Sequence, residues 1–461
     1  MNINENAQLS RRQLGIKVGQ FAVASAVAGM IVPAVHAAGD SNVQIALVGC
    51  GGRGTGAAMD ALKSKGMNPR LVAMADAFSD RLEGSLKRLN GEGSVADKVK
   101  ITNDRKFIGW DAYKAALDTL RPGDVAIFAT PLAFRATHFA YAIEKKLNVF
   151  MEKPLSSDGA QSRRLLKLAE EASAKNLKVG VGLMSRHARH LQELNKRITD
   201  GAIGDILLMR GYRMHAPVGS MRSTPKPANM SELEFQVRRF HSFLWASGGC
   251  FSDFNIHIID HLSWMKNAWP VKAIGVGGRH VKAADDGTPY IDQNFDSYGI
   301  EYTFADGAKM IFDGRYIDKC PTIYHSFIHG TKGSAIASKS GDCGLPASLF
   351  KGQTPDDDNL IWRSTDKTHP YQNEWDDLME AILQDKPYNE VKRGVEASLV
   401  TSMGRMAAHT GLEVTFDQML NSEHEFAPGI DALTKDSPAP VVADAKGMYP
   451  QPQPGTKTRE Y

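Results

Sequence analysis

Apolar and polar positions divide the chain into two regimes. From position 43 to about 183, short apolar runs alternate with longer amphipathic stretches. A first run leads from Val43 into Gly49, and strands are expected at 70–75, 99–103, 125–130, 148–152 and 178–183, with helices at 57–65, 111–120, 134–146 and 159–174 between them. Continuous apolar strands separated by helices imply a parallel sheet buried on both faces, the α/β doubly wound arrangement. Ligands bind such sheets off the carboxyl ends of the strands, so Thr130, Pro131, Glu152 and Lys153 should face a crevice.

Past 183 the alternation stops. A helix is expected at 186–201, where Leu191, Leu194 and Ile198 share one face and Gly201 ends it. Strands then dominate, at 206–214, 270–281, 297–304, 308–317 and 324–328, with Asp306-Gly307 as a hairpin turn. Strands in succession with few helices point to an α+β domain with a large, mainly antiparallel open sheet. Gly330-Thr331-Lys332-Gly333 reads as a tight backbone turn rather than a phosphate site. Helices follow at 375–383 and 391–409, the second stopped by Gly411. From 427 onward Pro, Gly, Asp and Lys give an extended tail suited to wrapping a partner subunit.

The beginning of the chain fits neither regime. Arg11-Arg12 precedes a mildly apolar run over 21–35, and small residues offer a cleavage point after Ala37. The run contains Pro33 and is too short to span a bilayer, so it reads as a twin-arginine signal peptide. The expected organisation is a signal over 1–37, a dinucleotide-binding domain over 38–183, a substrate-binding and oligomerisation domain over 184–421, and a tail over 422–461. The twin-arginine route carries folded proteins outward, which implies a periplasmic protein holding its cofactor tightly.

Composition adjusts this picture little. The 461 residues are 42% hydrophobic and 23% charged with a formal net charge of +3, so nothing calls for nucleic acid. No other apolar run approaches membrane length. The four cysteines, Cys50, Cys250, Cys320 and Cys343, are too scattered for a disulfide scaffold or a C-x-x-C metal site, although export would permit a bridge between Cys320 and Cys343.

Chemistry enters first at the end of the opening strand. Gly49, Gly51 and Gly54 have the G-x-G-x-x-G spacing, and the loop that they form with Gly52 and Arg53 would cradle a pyrophosphate at a helix N-terminus. Asp76 closes the second strand 22 positions beyond Gly54, where a carboxylate accepts the ribose 2′-hydroxyl of NAD and repels the 2′-phosphate of NADP. Arg81, one turn later, softens that preference, so NAD is expected and NADP stays open. The bland reading of Asp76 is a cap for the following helix.

Behind this loop stand Ala129-Thr130-Pro131, His138 and Met151-Glu152-Lys153-Pro154-Leu155, in that order. Together they resemble the glucose-fructose oxidoreductase and inositol dehydrogenase family (Gfo/Idh/MocA), whose most specific short mark is Glu-Lys-Pro. The resemblance implies that Thr130, Pro131, His138, Glu152 and Lys153 contact the cofactor, that Lys153 reaches both nicotinamide and substrate, and that the bond before Pro154 is cis. It extends to the stretch from Gly248 to Trp264, where Asp253, His257 and Asp260 keep the family spacing and Asn255 replaces a common glycine. There it implies His257 and Lys153 as the acid/base pair, Asp253 as the group that orients or binds the substrate, and Arg186 as a basic residue near it.

Physical chemistry agrees with such a set. Oxidising an alcohol requires a proton acceptor on oxygen while hydride leaves carbon, a task suited to histidine or to a lysine beside a positive nicotinamide ring; which of the two is the base stays open. Further substrate contacts are expected from Tyr212, Arg213 and His215, and from the long connection over 217–245, with Arg222, Arg238, Arg239, His241 and Trp245. Polar and aromatic groups on one loop suit a sugar, though they would equally suit a loop packed on a neighbouring subunit.

One rival occupies the same stretch: His257-Ile258-Ile259-Asp260-His261 is close to the H-x-x-E-H zinc pattern, but no third ligand is evident, so no metal is expected. His261 reads as a core histidine. The expected function is NAD(P)-dependent oxidation of a sugar or glycoside hydroxyl with an internally recycled cofactor, in a homo-oligomer (dimer or tetramer). The alternatives are redox-neutral glycoside cleavage on the same site and a non-catalytic sugar-binding relative.

Overall fold

A computed structural model describes residues 41–344 and 346–461. The expected signal segment lies outside the described residues.

The first domain is a parallel sheet of β1 (Asn42–Val48), β2 (Asn68–Asp76), β3 (Lys106–Ile108), β4 (Val125–Phe128), β5 (Asn148–Met151) and β6 (Val179–Val181), in the order β3-β2-β1-β4-β5-β6. The order reverses between β1 and β4, which opens a crevice at their carboxyl ends. Two sequence expectations fail here. The 99–103 stretch is no strand: Val99 makes one bridge to Leu71, Asn103–Arg105 turns as a short 3-10 helix, and the sheet continues at β3. The first helix also starts earlier than 57, at Gly52–Leu62, because tertiary packing overrides the low helix propensity of its glycines.

The second sheet contains β7 (Ile206–His215), β8 (Lys272–Gly278), β9 (Ser297–Thr303), β10 (Lys309–Tyr316), β11 (Ile323–Gly330), β12 (Gly333–Ser338), β13 (Ser348–Lys351), β14 (Leu360–Arg363) and β15 (Val414–Thr415), in the order β14-β13-β12-β11-β7-β10-β9-β8-β15. Every pair is antiparallel except β7 with β10. One face carries the helix Gly249–Lys266, whose residues are almost all buried. Buried on almost every side, polar residues included, it forms a rigid mount for the side chains it carries.

Helix Pro370–Leu383 returns to the first domain, where Trp375 stacks on Phe150 at 4.4 Å between ring centroids. Helix Val391–Thr410 ends at Gly411 in the left-handed conformation (φ 76°). The segment beyond 421 lies along its own chain: Phe426, Val441 and Tyr449 are buried, and Glu460 pairs with Arg405 at 2.7 Å and with His409 at 2.8 Å. All four cysteines are free, so the Cys320 to Cys343 bridge is not formed. No helix among the described residues is long and apolar enough to cross a membrane.

Candidate active site

A cleft of about 650 Å³ runs between the two domains, lined at one end by the glycine loop and Asp76 and at the other by Lys153, Asp253 and His257. The loop end is built from backbone. Gly49 (φ +94°) lies so close to β4 that a Cβ would stand 2.6 Å from the Ala129 carbonyl carbon, and a Cβ on Gly54 would stand 2.0 Å from the Gly49 oxygen. Glycine is therefore required for the loop to turn and for the helix to seat on it. Gly51 faces open space, with nothing within 4 Å of where its Cβ would be, and it opens the helix Gly52–Leu62 without any side-chain cap. The first helical amides thus remain available to a pyrophosphate.

Asp76 closes the far side of this cradle. Its Oδ2 accepts from the Cys50 amide at 2.7 Å and its Oδ1 from the Phe78 amide at 2.9 Å, which aims the carboxylate while leaving lone pairs for a ribose hydroxyl. Burial raises its pKa, with the two amides acting in the opposite direction. Arg53 pairs with Glu152 at 2.8 Å and lies over the Tyr371 ring at 4.5 Å. Thr130 Oγ1 lies 3.2 Å from His138 Nδ1, and burial, then Arg135, pushes His138 down to about 3. These residues fit a dinucleotide.

At the other end, the helix Gly249–Lys266 presents Asp253 and His257 one turn apart on the face that lines the cleft. Lys153, just past β5, donates to the Asp253 carbonyl at 2.6 Å and lies 3.4 Å from its Oδ1. The Lys153-Pro154 bond is cis. Against the desolvation of its burial, the charge of Lys153 and then the His241 hydrogen bond hold the Asp253 carboxyl well below the usual carboxylate range. Burial lowers His257 to about 4, with Asp342 opposing and Lys153 adding to the effect, and its Nδ1 has no hydrogen-bond partner. Asn255, the departure from the family pattern, points instead toward the sheet, where its Oδ1 accepts from the Tyr316 hydroxyl.

Five predicted substrate contacts do not line this cleft: Arg186, Tyr212, His215, Arg222 and Trp245. Arg186 is committed to Asp260 by two bonds of 2.9 and 2.7 Å. Tyr212 packs beside Phe327 and Arg210 on the opposite face of the second sheet, because successive residues of β7 alternate sides; its neighbour Arg213 reaches the cleft instead. Trp245 is fully buried, with its Nε1 donating to Gln236 at 2.8 Å.

Of the loop residues expected to touch a sugar, His241 reaches the Asp253 carboxylate, and Asp342 joins the site without having been assigned to it from sequence. His241 Nε2 lies 3.2 Å from Asp253 Oδ2. Asp342 lines the cleft, accepts from the Tyr324 hydroxyl and pairs with Arg213 at 3.2 Å. His261, one turn beyond His257, bonds Ser326 Oγ at 2.9 Å in the core. Among the described residues no group of three or more His, Cys, Asp or Glu could hold a metal ion.

A glycine cradle, a ribose-facing acid and a lysine-histidine pair at one cleft define a dinucleotide-dependent oxidoreductase. Residues 43–183 match the Gfo/Idh/MocA model, described as an oxidoreductase family with an NAD-binding Rossmann fold. Inositol 2-dehydrogenase of Rhizobium meliloti (strain 1021) is 24% identical over 316 residues, 68% of this chain and 81% of that protein. Among solved structures, an aldose-aldose oxidoreductase from Caulobacter crescentus complexed with glycerol aligns with a TM-score of 0.61 at 15% identity, over 81% of this chain and 99% of that one. A levoglucosan dehydrogenase in complex with NADH and levoglucosan aligns with a TM-score of 0.60 at 17% identity, over 82% and 100%. The structural likenesses establish the two-domain fold.

Proposed function

We propose that the protein oxidises a hydroxyl of a neutral sugar or glycoside with NAD. The observation that carries this reading is the convergence of Lys153, Asp253 and His257 at one end of a cleft whose other end is the glycine cradle and Asp76. The names of its relatives, an inositol dehydrogenase and two sugar oxidoreductases, point to the same substrate class.

NAD supplies a hydride acceptor when bound. His257, with its ring pKa lowered to about 4, is neutral at physiological pH and free to take the hydroxyl proton. Lys153, turned toward Asp253, donates a hydrogen bond to the same substrate oxygen and stabilises charge developing there. The alcohol thus loses one proton to the protein and one hydride to the cofactor and becomes a carbonyl. Asp342 and Arg213 offer an acceptor and a donor for neighbouring hydroxyls.

The twin-arginine pattern supports an exported protein working where little free cofactor is available. The cofactor is therefore held through many turnovers and reoxidised in place, by reducing a second sugar. Arg238 supports that retention: it reaches from the second domain to Asp80 at 3.0 Å and lies 3.9 Å over the Phe78 ring, beside the ribose end. The outer face of the second sheet exposes Leu207, Ile274 and Val276, which suits a homo-oligomer.

Mass spectrometry of what leaves the native protein on denaturation, followed by absorbance at 340 nm on adding a panel of sugars, tests this reading. Recovery of NAD and a sugar-dependent signal are expected. No nucleotide from the purified protein would overturn retention, and no signal with NAD added would overturn the reaction. Glycoside cleavage with catalytic bound cofactor would transfer the site to a redox-neutral reaction.

A further inference from the structure

The connection between β7 and the helix Gly249–Lys266 delivers a second histidine to the reacting carboxylate, and its setting is built in unusual detail. Asp253 divides its two oxygens: Oδ1 lies 3.4 Å from Lys153 Nζ and Oδ2 lies 3.2 Å from His241 Nε2. On the opposite side of the ring, Nδ1 accepts from the Ser220 amide at 3.2 Å. A backbone amide can only donate, so this network assigns the His241 proton to Nε2, directed at Asp253.

The surroundings hold the ring in that pose. It lies between Phe240, at 3.9 Å, and Phe254, at 5.1 Å between centroids. Gly219 (φ +57°) passes so close that a Cβ there would stand 2.6 Å from Nδ1, a contact that no side chain could make. The His241 amide donates to Ser220 Oγ at 3.2 Å, and its carbonyl accepts from Asn294 at 2.8 Å. Ring, tautomer and backbone are thus each fixed by a separate contact.

We propose that His241 is a positioning residue for the oxidation described above. By donating Nε2–H to Oδ2, it stops the Asp253 carboxylate from rotating and keeps Oδ1 on Lys153, so that the ammonium is aimed at the substrate oxygen. His241 exchanges no proton with the substrate. This rests on the proposed reaction, so its test includes a measurement independent of turnover.

The experiment uses the full-length protein and the variants His241→Ala and His241→Gln. Gln places an amide N–H near the position of Nε2 but cannot titrate. With a sugar that the wild type oxidises, His241→Ala should slow single-turnover reduction of the nicotinamide at 340 nm roughly tenfold to a hundredfold with unchanged nucleotide content, the scale of a lost positioning contact. His241→Gln should recover most of the rate with the wild-type pH profile. A His241→Ala variant as fast as wild type, a His241→Gln variant as slow as His241→Ala, or a His241→Gln variant lacking one limb of the pH profile would overturn the proposal.

Selective ¹⁵N-histidine NMR supplies the independent arm, with His241→Gln used to assign the signal. The Nε2–H tautomer is expected, with a shift that moves in Asp253→Asn; the other tautomer, or no movement, would overturn the proposal. If the wild type oxidises no sugar, the proposed reaction fails and the NMR result still decides whether His241 holds Asp253.

Discussion

The two ends of the cleft are built on different principles. The cofactor end is contiguous in sequence and made largely of backbone: one loop after β1, one carboxylate at the end of β2, and glycines whose absent side chains leave the room. The reacting end is assembled from side chains far apart in the chain, with Lys153 following β5, Asp253 and His257 on a buried helix, His241 on a long connection and Asp342 beyond β12. The backbone of the cofactor end is sensitive above all to added volume, and the reacting end above all to the loss of a functional group.

Substitutions should separate the two ends, and the largest effect belongs to the reacting group. Lys153→Ala should slow hydride transfer by about 10²–10⁴-fold while the protein still retains its nucleotide, read by single-turnover absorbance and by nucleotide recovery. Gly54→Ala should do the opposite: its Cβ meets the Gly49 oxygen at 2.0 Å, so nucleotide content should collapse while the second domain remains folded by circular dichroism. Asp76→Ser should weaken NAD by about 10–100-fold, the value of a lost hydrogen bond to a charged group, and narrow the preference over NADP in titration calorimetry.

Acid should act on both ends through buried rings. His138, His257 and His261 have values lowered to about 3, 4 and 4, primarily by burial. Their unfolded value is about 6.5, so the unfolded chain takes up protons first as pH falls. Their contribution to stability is complete above about pH 6.5 and is lost progressively toward pH 4, at up to ~1.4 kcal/mol per ring per pH unit. Denaturant melts between pH 7 and 4 measure this slope; flat stability across that window would contradict the burial of these rings. The smallest effect is expected from Tyr212→Phe, within about twofold in turnover, because that ring lies on the opposite sheet face.

Legibility in the sequence followed the same division. The glycine loop, Asp76 and the run around Lys153 could be read because each motif is local and its order along the chain is the order of the strands. Asp253 and His257 could be read because a helical period links them. Tyr212 was displaced by a single step of the strand period, which turned Arg213 toward the cleft in its place. Arg186 and Trp245 looked available because their partners, Asp260 and Gln236, are remote or unmarked in sequence. Asp342 lies in a loop with no pattern, and only the pairing of β11 with β12 brings it to Arg213.

Nicotinamide reduction joins the two ends of the cleft in one observable. Mixing the native protein with a panel of sugars and glycosides under a saturating level of NAD, and following absorbance at 340 nm in wild type and Lys153→Ala, should give a rise for at least one neutral sugar that is lost in the variant. A rise of equal rate in Lys153→Ala, or none with any sugar in a wild type that binds NAD, would contradict the assignment of this cleft to sugar oxidation.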